Sequence, residues 1–132
     1  MATGRASASM TVRTCERTWL IVRRVIARAV IGSNRMIFIA NSGGGTMTLN
    51  ALFRYPDLYS TGIAVASVPD QRIYDTVYQE RYMGLPEENV EGFEQGSPIT
   101  HAGKLEGNLL LIHGTGDDNV HYQGAEMLIN EL

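Results

Sequence analysis

The stretch that most limits what this chain can fold into is Arg35-Met-Ile-Phe-Ile-Ala-Asn-Ser-Gly-Gly-Gly-Thr-Met47, an apolar run that stops at a serine and three glycines. Met36 to Ile39 is short and continuously apolar, which reads as a strand buried on both faces, as parallel strands in α/β proteins are. Gly43, Gly44 and Gly45 remove every Cβ from the turn after Ser42. Thr46 to Phe53 then continues as a helix with apolar Met47, Leu49, Leu52 and Phe53. Strand, sharp turn with serine at its tip, then helix is the arrangement of a nucleophile elbow. The hydroxyl stands clear of the sheet there, while the helix N-terminus and the next backbone N–H face a developing oxyanion. The pattern departs from G-x-S-x-G at one place, with Ala40 in the position of the first glycine. A glycine-rich turn without chemistry contains the same residues, so the turn alone leaves both readings open.

At 132 residues the chain has the length of one domain or less. Hydrophobic content of 44% and charged content of 19% describe an ordinary globular composition, and no window reaches the apolar length of a membrane span. A single cysteine, Cys15, excludes an internal disulfide framework and leaves the compartment open. The net charge of −3 is unevenly spread. Residues 1–35 hold seven arginines against one acid, Glu16, whereas the remainder has four bases against thirteen acids.

Met1 to Thr14 is small, polar and unpatterned, and reads as disordered. From Trp19 to Ile31 the positions Val22, Val25, Ile26, Ala29 and Val30 recur at helical spacing among Arg23, Arg24 and Arg28, so an amphipathic helix is expected, with Gly32-Ser33-Asn34 as its stop. Three uses fit it: a crossover helix before the Met36 strand, an organelle-targeting segment, or a basic surface for nucleic acid. After Arg54-Tyr-Pro-Asp57 breaks the elbow helix, Thr61 to Ala66 is a second apolar strand. Residues 71–98 are loop-rich, with a helical piece near Tyr74 to Arg81. It carries Tyr74, Tyr78 and Tyr82 on one face, either as packing or as a pocket wall with a polar rim. Glu87, Glu88, Glu91 and Glu94 read as a solvated face. A third strand, Asn108 to His113, leads into Gly114-Thr-Gly-Asp-Asp-Asn119, and a last helix runs over 120–132. Strands alternating with helices predict a parallel sheet with right-handed crossovers, and such sheets collect functional residues at the strands' carboxyl ends. Ser42 and Asp117 both lie there.

Two longer motifs make the chain specific. Tyr74-Asp-Thr-Val-Tyr-Gln-Glu-Arg-Tyr-Met-Gly-Leu-Pro86 and Leu110-Leu-Ile-His-Gly-Thr-Gly-Asp-Asp-Asn-Val-His121 resemble the catalytic domain of the dipeptidyl peptidase IV-like serine peptidases, in the prolyl oligopeptidase family. The resemblance covers Asn34 to Leu132, leaving residues 1–33 as a separate basic segment. It implies a partial α/β-hydrolase fold, a parallel sheet with flanking helices, and removal of N-terminal dipeptides with proline or alanine second. It also implies Ser42 as nucleophile, Asp117 as triad acid with Asp118 structural, and the Gly43 N–H as an oxyanion donor. Tyr74 and Tyr78 match the aromatic walls of a proline pocket, and Asn119 matches an asparagine that binds a substrate carbonyl. No cofactor and no metal are implied, and the expected partner is a peptide, with no nucleic acid. Two departures stand at the elbow, where the family usually has tyrosine at Gly43 and tryptophan at Asn41.

In the family the base histidine lies a few tens of residues past the acid, and this sequence ends fifteen residues past Asp117. His113 and His121 belong to the motif around Asp117 and His101 precedes the third strand, so none of the three is expected to act as base. The expectation is therefore a peptidase catalytic domain that is inactive as this chain alone, with unsheltered sheet edges that favour self-association. An esterase or aminopeptidase on the same fold, and a non-catalytic assembly module using the basic segment, are the alternatives.

Overall fold

The computed structural model describes residues 36–132. The expected amphipathic helix over 19–31 and its stop lie outside the described residues. Within them, three parallel strands stand in the order of the sequence: β1 (Met36–Asn41), β2 (Tyr59–Val65) and β3 (Asn108–Ile112). Helix α1 (Gly43–Arg54) connects β1 to β2. The β2–β3 connection contains a 3-10 turn (Gln71–Ile73), α2 (Thr76–Met83), α3 (Val90–Gly96) and a second 3-10 stretch (Pro98–Lys104). Helix α4 (Gln123–Glu131) follows β3.

Alternation along the strands sorts side chains onto two faces. Met36, Phe38, Leu109 and Leu111 point inward with Ala64 and pack against Leu49, Leu52 and Phe53 of α1, Ala102 and Leu128 of α4. The opposite face holds Ile37, Ile39, Leu110 and Ile112, which are 64%, 64%, 52% and 46% exposed. This corrects the expectation of a strand buried on both faces. A continuous apolar run is compatible with double coverage, but among the described residues the helices that pack on the sheet share one side, so β1 and β3 are half-buried on alternate residues only.

Boundaries shift for local reasons. Helix α1 begins at Gly43 rather than Thr46, so the three glycines form its first turn. β2 stops at Val65 because Ala66 has φ 44°, which takes the chain out of extended geometry. In the loop-rich stretch, α2 starts at Thr76, where the Asp75 carboxylate accepts from Val77 N at 2.9 Å, and Asn89 caps α3 in the same way at 3.2 Å. Tyr74 consequently precedes α2 instead of lying on its face.

Candidate active site

The three strand exits align in register. Asn41 pairs with Val65, and Val65 with Ile112, so the residues that follow share one rim, and two strand spacings put β1 and β3 about 10 Å apart. Backbone bonds tie these exits together, Ser42 N donating to Val65 O at 2.9 Å and Ala66 N to Ile112 O at 2.8 Å.

Ser42 is exposed and has φ 51° and ψ −128°, a conformation rare for a side-chain-bearing residue. It occupies the N-cap position of α1, yet its hydroxyl makes no capping bond. A serine there ordinarily accepts from the second or third helical N–H. Here Oγ is left for other partners, and the first N–H groups of α1, Gly43's included, lie at the positive end of the helix. The glycine pattern has a steric cause. A Cβ on Gly44 would stand 2.8 Å from Ala40 Cβ, and one on Gly45 would stand 2.9 Å from Val65 O. Ala40 and Gly44 occupy the two glycine positions of G-x-S-x-G and face each other. One methyl is accommodated there as Ala40, and a second is not. A Cβ on Gly43 would meet nothing within 4 Å, so the glycine is not required there by crowding.

Thr46, which the sequence did not single out, joins the elbow to the segment after β2. Its Oγ1 accepts from Val68 N at 2.9 Å and lies 3.1 Å from Val68 O and 3.4 Å from Ser42 O, both acceptors. One buried hydroxyl thus serves both main-chain groups of Val68. Next along the chain, the Asp70 carboxylate is 2% exposed and accepts from Arg72 N, from the Arg72 guanidinium at 2.7–3.2 Å and from Ser97 Oγ at 3.4 Å. Burial pushes the Asp70 carboxyl up, but Arg72 and Ser97 outweigh it and hold the group below its ordinary value. Gln79 Nε2 donates to Gln71 Oε1, tying α2 to the same turn. Nothing in the sequence pattern separates these polar residues from solvated ones.

Of the expected pocket residues, Tyr74 and Tyr78 meet edge to face at 5.8 Å and Tyr78 meets Tyr82 at 5.0 Å. Tyr78 and Tyr82 are 56% and 53% exposed, so the row is an open wall and not core packing. Tyr74 Oη donates to Asn119 Oδ1 at 3.3 Å, bringing two expected binding residues together. Asp117 Oδ1 accepts from Val120 N at 2.9 Å and from Asn119 N at 3.1 Å. These two bonds hold its carboxyl below the usual carboxylate range, so it is ionised at neutral pH. Asp118 is exposed. Among the histidines, His101 is buried with a ring nitrogen 3.4 Å from Gln95 O, His113 Nε2 lies 2.7 Å from Val120 O, and His121 is exposed. No group of three potential ligands for a metal occurs among the described residues, and no helix there is long and apolar enough to cross a membrane.

A model of the prolyl oligopeptidase family matches residues 8–132. The chain belongs to that family. The match reaches into the basic segment, beyond the Asn34 start that the motifs set. A protein of Arthroderma otae named "probable dipeptidyl-aminopeptidase B" is 46% identical over 94 residues, which are 69% of this chain and 10% of that protein. Its namesake in Uncinocarpus reesii is 41% identical over 108 residues, 80% of this chain and 12% of the relative. Among solved structures, the dipeptidyl peptidase 4 of Porphyromonas gingivalis superposes with a TM-score of 0.71 at 43% identity, over 73% of this chain and 14% of that one. The fold is therefore that of the α/β-hydrolase domain of prolyl oligopeptidase family members, represented here by three strands and their helices. The chain spans about a tenth of the length of these relatives.

Proposed function

We propose that the chain carries the nucleophile and the acid of a serine peptidase that removes N-terminal Xaa-Pro or Xaa-Ala dipeptides. Ser42 Oγ attacks the carbonyl carbon of the second residue, and its proton passes to a histidine base. The Gly43 N–H stabilises the oxyanion at the positive end of α1. The base then protonates the leaving amine as the C–N bond breaks, leaving an acyl-serine that water hydrolyses by the same steps. Asp117 orients the base through Oδ2, since Oδ1 already accepts two backbone bonds. Tyr74 and Tyr78 flank the second substrate residue, and Asn119 binds a substrate carbonyl. The observation that carries this reading is Ser42 itself: an exposed serine with positive φ and a hydroxyl withheld from capping the helix it precedes.

None of the chain's three histidines is assigned as base. His113 is engaged with Val120 O, His101 is buried against Gln95, and His121 follows the acid's own loop. Loss of a triad histidine costs about a millionfold in kcat, roughly 8 kcal/mol of barrier. The 132 residues alone should thus react with a fluorophosphonate probe weakly or not at all. Brisk labelling that disappears in Ser42→Ala would overturn the exclusion of these histidines. In a longer chain that contains these residues and a base histidine, a Gly-Pro reporter should be cleaved and Ser42→Ala should abolish cleavage. Cleavage of an ester reporter with the Gly-Pro reporter untouched would overturn the peptidase reading.

A further inference from the structure

We infer that His113 is a positioning residue whose ring clamps the Gly114–Val120 loop shut and so fixes Asp117 and Asn119 on the rim. The inference rests on the reading of Asp117 as the acid and Asn119 as a binding residue. His113 follows β3 directly, and its side chain is 2% exposed. A carbonyl oxygen only accepts, so the 2.7 Å contact between Nε2 and Val120 O places the ring proton on Nε2. Nδ1 is then a bare lone pair, buried with no partner among the described residues. Val120, 5% exposed, becomes the hub of the loop, its carbonyl held by His113 and its N–H by Asp117 Oδ1 at 2.9 Å. Asp117 Oδ2 lies 3.7 Å from Nε2, beyond hydrogen-bond reach, so the clamp leaves that oxygen available. Tyr122 closes the other side of the imidazole edge to face, with centroids 5.9 Å apart. A side chain that engaged Oδ2 itself would compete with the base, whereas one that engages Val120 O steadies the acid without touching it.

The test is nuclear magnetic resonance on the 132-residue chain. In the unsubstituted protein the His113 ring nitrogens should report the Nε2–H tautomer at neutral pH. The Nδ1–H tautomer would overturn the proposal without any variant having to fold. In His113→Phe, which keeps a ring and removes the donor, hydrogen exchange at the Asn119 and Val120 amides should accelerate about tenfold, with strand amides such as Ala66 unchanged. His113→Gln, whose amide nitrogen reaches the Nε2 position, should restore protection, an outcome that general destabilisation does not produce. Unchanged protection in His113→Phe would also overturn the clamp. These readouts involve no catalysis. A failure at Ser42 therefore leaves them standing, and their failure leaves the Ser42 experiments untouched.

Discussion

Tyr74 Oη donates to Asn119 Oδ1 across 3.3 Å, a hydrogen bond between residues 45 apart that joins the residue closing the Gln71–Ile73 turn to the loop after β3. Because the amide oxygen is engaged, the Asn119 NH2 is the group left to meet a carbonyl. Tyr74→Phe keeps the ring against Tyr78 and releases the amide. For an Xaa-Pro reporter, in a longer chain with its base, KM should rise about three- to tenfold with kcat little changed, the scale of one hydrogen bond. A fall in kcat at constant KM would contradict a ground-state binding role.

The elbow glycines differ in what they exclude. Gly45→Ala places a methyl 2.9 Å from Val65 O and 3.0 Å from Ser67 Cβ, and should lower stability by about 1–3 kcal/mol in thermal or urea unfolding. Gly43→Ala meets nothing within 4 Å and should be neutral or stabilising by up to about 1 kcal/mol. Equal effects at the two positions would show that the helix start is not packed as described.

These two glycines also show how far the sequence reaches. Strand, serine, turn and helix are legible from the apolar run and its abrupt end, and the two long motifs carry the resemblance that singles out Tyr74 and Asp117. The helix start is not legible, because glycine in a turn and glycine in a tightly packed first turn are the same letter. Thr46 and Asp70 do not stand out, because a polar residue gives no periodic signal of the backbone groups it serves. The coverage of the sheet is not legible either, since β1 is apolar on both faces whether or not a second layer is present.

Acid sensitivity should come in two windows. Burial, partly offset by the bond to Gln95 O, holds the His101 pKa below its ordinary 6.5. The unfolded chain therefore binds this proton more readily, and stability is lost as pH falls from about 6.5 toward the folded value. Asp70 and Asp117 both lie below 3.8 in the fold, so their contributions persist until the pH drops under about 4. Melting temperatures measured from pH 7 to 3 should show both declines, and His101→Leu should remove the upper one alone. An upper decline that survives the substitution would assign it to another group.

The open side of the sheet should make the chain associate. Ile37, Ile39, Leu110 and Ile112 form an apolar surface between strand edges with unpaired backbone groups among the described residues. Sedimentation should show concentration-dependent self-association that Ile39→Lys or Leu110→Lys weakens, with α1 and the inner core unaffected. A monomer at all concentrations would remove this surface from consideration.

Ser42 sits in a backbone geometry that its side chain makes unfavourable, by about 1–3 kcal/mol for residues in such regions. Glycine at this point would suffer no such penalty, so Ser42→Gly should raise the melting temperature while leaving no hydroxyl to label. Selection for a sturdier protein and selection for a reactive one pull this position in opposite directions. On the proposed reading of Ser42 as nucleophile, a lineage that no longer needed the chemistry would gain robustness by losing the serine. In this sequence the serine is still present.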